Sequence, residues 1–240
     1  MAWLEVVNLS KSFGGLLALD KVSFEMDQGE MVGIVGPNGA GKTTLFNTLT
    51  GSLPKDEGEV MFKGRDISRI KPHQAVHLGI YRTFQLTGSF DGMTVFDNVK
   101  IAALARSGDS SLDDKVKEAI KEVDLEGRED LVPGQLPYGD LKRLDIARAL
   151  ASSPELMLLD EPFSGLSFSE IRGIAEVLRR IQARGVTLLI IEHVLRELMA
   201  LAGRVIVLNF GKKLAEGSPK EVVENAEVIE AYLGGESYAV

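Results

Sequence analysis

The strongest chemical signal in this chain is Gly36-Pro37-Asn38-Gly39-Ala40-Gly41-Lys42-Thr43-Thr44. It satisfies G-x-x-x-x-G-K-[ST], a backbone loop that wraps nucleotide phosphates. Glycine lets such a loop take positive φ and turn its N–H groups toward phosphate oxygens. A helix start behind it adds unpaired N–H groups and a partial positive charge. Lys42 would then reach the β- and γ-phosphates, and the Thr43 hydroxyl would hold Mg²⁺. The bland alternative is a glycine-rich turn that binds nothing. The flanks oppose it: Met31-Val32-Gly33-Ile34-Val35 reads as a buried strand, and Lys42 to Leu49 as a helix start.

Other candidates stand at the ends of apolar runs. Leu156-Met157-Leu158-Leu159-Asp160-Glu161 reads as a buried strand with an acidic tip, and ligands of open parallel sheets bind beyond the carboxyl ends of strands. Asp160 is thereby placed to hold Mg²⁺, directly or through water, and Glu161 to take a proton from attacking water. The alternative is a charged strand end facing solvent. Val186 to Ile191 is a further buried strand ending in Glu192-His193. A histidine there is either a satisfied surface group or one more polar group at the same sheet edge. Gln85 closes Tyr81-Arg82-Thr83-Phe84-Gln85-Leu86, a strand pattern, and read alone is a surface residue. Phe13, before Gly14-Gly15, is either a packing residue or a platform for an adenine base.

The elements that must position these groups follow from periodicity. Residues 2–35 read as β structure, with Phe13-Gly14-Gly15 in a turn between two strands. Gly58 to Gly64 is a strand and Lys71 to Leu78 a short helix. Helical patterns over 94–105 (Thr94 as N-cap), 111–124 and about 140–151 interrupt the α/β alternation and read as an inserted helical subdomain. The loop 107–111 between the first two is the best site for insertion or disorder. Ile171, Ile174, Ala175, Leu178 and Ile181 give the helix from Ser169 to Arg184 one apolar face, and Gly185 ends it. A helix over 194–202, a strand at 204–208, a turn at 209–211, a strand at 213–215 and helices near 219–224 and 226–233 follow.

Composition narrows the function classes. With 45% hydrophobic and 26% charged residues, the 240-residue chain is an ordinary globular protein of one large domain or a domain with a subdomain. A net charge of −8 repels a phosphate backbone, which excludes nucleic acid as the expected partner. The absence of cysteine excludes disulfides and thiolate chemistry and suits a cytosolic protein. No apolar run approaches the ~18 residues that span a bilayer, and Met1-Ala2-Trp3-Leu4-Glu5 lacks the pattern of a secretion signal. Any membrane role is expected to come through a partner.

Taken in order over nearly the whole chain, these motifs resemble the ATP-binding cassette (ABC) ATPase family. Phe13 stands where that family stacks an aromatic on adenine. Gln85 stands where a glutamine senses Mg²⁺ and contacts the membrane subunit. Leu136-Pro137-Tyr138-Gly139-Asp140 stands where a Leu-Ser-Gly-Gly-Gln stretch opens the last helix of the helical subdomain and meets ATP bound by the opposite subunit. Asp160 and Glu161 match the carboxylate pair, and His193 the switch histidine. The fold implied is α/β, a P-loop NTPase core with a mixed, mainly parallel sheet, an N-terminal antiparallel β subdomain and an inserted helical subdomain. The implied division is 1–85 and 153–240 for the core, and 86–152 for the helices. Two departures bear on the cross-dimer half of the site: Pro137 replaces the serine, and Ser167 stands where the family often has Asp.

Phe13-Gly14-Gly15-Leu16, Arg82-Thr83-Phe84-Gln85, Tyr138-Gly139-Asp140, Ile191-Glu192-His193 and Ala231-Tyr232-Leu233-Gly234 are similar to the ATPase subunits of branched-chain amino-acid importers, a resemblance that also covers urea and short-amide importers. It implies ATP and Mg²⁺ as ligands, a second ATPase subunit (a heterodimer or a homodimer), two transmembrane permease subunits, a solute-binding protein outside, and a peripheral place on the cytoplasmic face of the membrane. The competing classes are a soluble repair- or translation-type ABC ATPase, which usually carries two cassettes or long coiled coils, and a regulatory ATP-binding subunit with little turnover. One cassette and the absence of sustained heptads oppose the first; Glu161 and His193 oppose the second, and Pro137 favours it.

Overall fold

The computed structural model describes residues 2–83, 88–104 and 111–233. The chain divides into two compact units, Met1–Pro72 with Leu189–Val240, and His73–Leu188.

The first unit opens with β1 (Leu4–Phe13) and β2 (Leu16–Met26), an antiparallel pair closed by the two-residue turn Gly14-Gly15, so that Phe13 faces Leu16 and Leu4 faces Met26. β4 (Glu57–Phe62) pairs along the other side of β1 and β5 (Arg65–Asp66) completes a four-stranded sheet in the order β2-β1-β4-β5. Its alternating residues Leu4, Val6, Val22, Phe24, Val60 and Phe62 are buried, as a sheet with one covered face requires. β3 (Met31–Val35) differs in kind: all five of its residues are buried, the pattern of a strand covered on both faces. It runs parallel to β9 (Arg204–Asn209), and β10 (Lys212–Gly217) adds an antiparallel edge to β9. α1 (Lys42–Leu49), α7 (Leu195–Leu201), α8 (Pro219–Glu224) and α9 (Ala226–Leu233) belong to the same unit.

In the second unit β6 (Ile80–Arg82) runs parallel to β7 (Leu156–Asp160), with Arg82 in register with Leu158. The unit also holds α2 (Pro72–His77) from its second residue on, α3 (Val95–Leu104), α4 (Leu112–Glu122), α5 (Tyr138–Ala151) and α6 (Phe168–Ala183). β8 (Thr187–Ile191), buried throughout, is the strand in which the chain passes back to the first unit. Thr94 caps α3 as its side chain predicts, accepting the Asp97 amide at 3.1 Å. The whole predicted apolar face of α6 is buried. Ser167 and Glu170 form a capping box at its start.

Departures from the expected boundaries are small and have causes. α5 starts at Tyr138 rather than Asp140, because Pro137 at the N-cap has a φ of −56° and needs no amide partner there. β10 continues to Gly217, past the expected Ala215, held there in register with Val205. Gln85 and most of the expected loop at 107–111 lie outside the described residues.

Candidate functional site

In the first unit the phosphate loop joins β3 to α1. Gly36 and Gly41 are both required by their surroundings. A Cβ on Gly36 would stand 2.1 Å from the Leu208 carbonyl oxygen, and one on Gly41 2.3 Å from that of Ala18. Gly41 also has a φ of 102°, in the left-handed region. The loop is thus gripped between β2 and the end of β9. The Gly211 amide donates to the Ala40 carbonyl at 3.1 Å, and the Asp20 amide to that of Gly211 at 2.8 Å, closing the grip. Gly41 is the N-cap of α1, with no side chain bonded to the helix start. A helix start without a side-chain cap is the kind of terminus that favours an anion.

Lys42 is only 6% exposed, and its Nζ donates to the carbonyls of Gly36 at 2.6 Å and Pro37 at 3.0 Å. A buried ammonium held over the loop is a charge-assisted donor in position for phosphate oxygens. Thr43 is exposed on the first turn. Phe13 is 49% exposed at the end of β1, with the Lys11 ammonium 5.6 Å from its ring centre. That is a presented aromatic face rather than a packed one. His193 is exposed just beyond β8. Glu192 beside it is 1% exposed and accepts the amides of His193 at 3.0 Å and Val194 at 3.3 Å, which sets the histidine's backbone. Tyr232 of α9 meets the Gly36 backbone amide. Burial nonetheless pushes its phenol up to about 12.

In the second unit the tip of β7 carries the carboxylates. Asp160 is buried, and Arg82 Nη2 donates to its Oδ2 at 2.8 Å. The Asp160 amide donates to Thr83 Oγ1 at 3.3 Å. Glu161 follows with a φ of 51°, an unusual backbone for a residue with a Cβ and one concentrated at functional turns. Lys142 Nζ reaches the Glu161 carbonyl at 3.4 Å, and the Ser164 amide donates to the same oxygen at 3.2 Å. Thr83, Lys142, Asp145 and Asp160 line one small cavity. Burial pushes Asp145 up to about 6, against the pull of Arg148 and Lys142.

The stretch 136–140 lies at the start of α5. Leu136 is buried, Tyr138 is exposed with Lys142 5.7 Å from its ring centre, and Asp140 in the first turn pairs with Arg128. Glu170, already in the α6 capping box, also accepts the Gly139 amide. Within this stretch, then, Pro137 has no amide hydrogen and that of Gly139 is bonded inside the chain. Among the described residues no cluster of three or more His, Asp or Glu could hold a metal. Thr43 in the first unit and Asp160 in the second each offer an oxygen of the hard kind that Mg²⁺ takes, an ion that is usually held by one or two protein oxygens with water and substrate phosphate.

Arg82, Thr83, Glu192 and Tyr232 entered the sequence reading only as members of resembling stretches, without a role, and Lys142 and Glu170 escaped it. Each acts through a partner distant in sequence or through backbone, and only their placement beside motifs signals them.

The family of ABC transporters matches residues 19–164. The family described as branched-chain amino acid ATP-binding cassette transporter matches residues 212–238. The high-affinity branched-chain amino acid transport ATP-binding protein LivG of Salmonella typhimurium is 35% identical, over 96% of this chain and 97% of that protein. The lipopolysaccharide export system ATP-binding protein LptB of Escherichia coli is also 35% identical, over 98% of both chains. Among solved structures, a nucleotide-free ATP-binding cassette from an ABC transporter is similar at a TM-score of 0.91 and 33% identity, covering 98% of this chain and 100% of that one. The ADP conformation of an ABC transporter cassette is similar at the same TM-score, 0.91.

Proposed function

The chain belongs to the ABC transporter ATPase family, and from that premise we propose that it drives import of branched-chain amino acids by hydrolysing ATP. The observation that carries the choice of cargo is the second family match, over 212–238, at the end of the chain where general cassette motifs are absent. Urea or a short amide is the alternative cargo on the same resemblance. The equal identity to an exporter's ATPase supports a second reading, in which the same subunit drives outward transport.

In this proposal Lys42 and the loop amides bind the β- and γ-phosphates, and Phe13 stacks on adenine. Thr43 and Asp160, with Gln85, would hold Mg²⁺, which when bound would neutralise charge on the phosphates. Glu161 accepts a proton as water oxygen bonds to the γ-phosphorus and the bond to the ADP oxygen breaks. His193 steadies the γ-phosphate, and Leu136 to Asp140 contacts ATP held by a second subunit. Residues 86–152 form the helical subdomain, and 1–85 with 153–240 the nucleotide-binding core. The assembly is a heterodimer with a related ATPase, two permease subunits and an external solute-binding protein, on the cytoplasmic face of the membrane.

Co-purification from membranes, followed by reconstitution in vesicles with ATP on the cassette side, tests this. Labelled leucine should enter from the side of the solute-binding protein and compete with valine and isoleucine. ATP-dependent uptake of urea or acetamide instead would replace the cargo. Movement only toward the side opposite the cassette would establish export.

A further inference from the structure

The ends of β6 and β7 are joined by side chains as well as by their ladder. Thr83 donates its amide to the Leu158 carbonyl at 3.0 Å and receives the Asp160 amide on its hydroxyl. Arg82, one residue earlier, places Nη2 2.8 Å from Asp160 Oδ2, with the two side chains 7% and 8% exposed. A carboxylate this buried is costly to keep charged without a partner. The planar, permanently charged guanidinium supplies one and fixes the carboxylate's orientation. Lys142 at the Glu161 carbonyl and the Arg148–Asp145 pair at 3.2 Å are further charged groups near this tip.

We propose that Arg82 is a positioning residue for the divalent cation: it is the resident counter-charge of Asp160, and it sets cation affinity by sharing that carboxylate. The inference rests on Asp160 being the metal's carboxylate ligand. An incoming cation must approach a carboxylate that already holds a positive charge, and like charges at such distances oppose each other. Arg82 therefore keeps the Asp160 carboxylate aimed while holding the metal loosely enough to leave with product. A purely structural Arg82 would act oppositely, since losing it would let Asp160 turn away and weaken metal binding.

The test is Mn²⁺ titration of the ADP-loaded protein, read by electron paramagnetic resonance of free Mn²⁺, with metal-free ADP affinity as the check that the phosphate loop is folded. Asp160→Asn should weaken Mn²⁺ binding. Arg82→Gln and Arg82→Met, both neutral, should tighten it at least about fivefold, whereas Arg82→Lys, which keeps the charge, should stay within about twofold of wild type. Unchanged or weaker binding in both neutral variants, with Asp160→Asn still weakened, would overturn the role of Arg82 and leave Asp160 as a ligand. An Asp160→Asn protein that binds Mn²⁺ like wild type would remove the metal assignment and this inference together.

Discussion

At the residue scale, two buried charges make opposite demands. Lys42 donates to two loop carbonyls and is aimed where phosphate charge would lie. A charge-assisted hydrogen bond contributes about 1.5–3 kcal/mol, and more where the transition state gains charge. Lys42→Ala should therefore lower ATP hydrolysis at least about a hundredfold, measured as phosphate release at saturating ATP; wild-type turnover would dismiss the loop as the active site. Asp145 is held in a place that disfavours its charge, with a pKa of about 6 against an ordinary 3.8. The folded chain thus binds this proton more tightly than the unfolded chain does. Stability from this group is fully present below about pH 4 and falls as pH rises through about 6, by roughly 3 kcal/mol in all. About half of that fall lies between pH 5 and pH 8. Urea unfolding across that range should show wild type losing roughly 1–2 kcal/mol more than Asp145→Asn; parallel pH curves would show that Arg148 fully compensates the burial.

At the element scale, the question is what α5 can offer a phosphate. Pro137 starts the helix well but donates nothing, and Glu170 takes the Gly139 amide. One missing donor to a charged phosphate costs about 1.5–3 kcal/mol, roughly tenfold to over a hundredfold in affinity. Pro137→Ser should strengthen ATP-dependent self-association of a Glu161→Gln protein by that order, measured by sedimentation beside the Glu161→Gln parent. Identical monomer–dimer constants would mean that Pro137 is not the limiting contact. Such elements were largely legible in the sequence. The run Met31–Val35, the apolar face of α6 and the turn Gly14-Gly15 each follow from local pattern, because burial and turn geometry act over a few residues. The phosphate loop was legible for the same reason: its contacts are made by its own backbone. What pattern could not supply is what holds the carboxylates. The pairing of Arg82 with Asp160 joins residues 78 positions apart, the contact of Lys142 with Glu161 joins a helix to a loop, and that of Glu170 with Gly139 joins two helices.

At the scale of the whole molecule, the chain is an ABC transporter ATPase, and in the proposed function its hydrolysis moves other subunits. Among the described residues no helix is long and apolar enough to cross a membrane. In the proposed function the work is delivered through association, which depends on ATP being held intact between two subunits. Glu161 is the group assigned to end that state. Replacing it by Gln preserves size and hydrogen bonding and removes only the capacity to accept the proton. Steady-state phosphate release by Glu161→Gln at saturating ATP is the most direct test. The account predicts retained ATP binding with turnover reduced at least about a hundredfold, a loss within the usual span for a missing general base. Multiple turnovers at the wild-type rate would contradict it, because the proton would then have another acceptor and the carboxylate at the tip of β7 would not be the catalytic one.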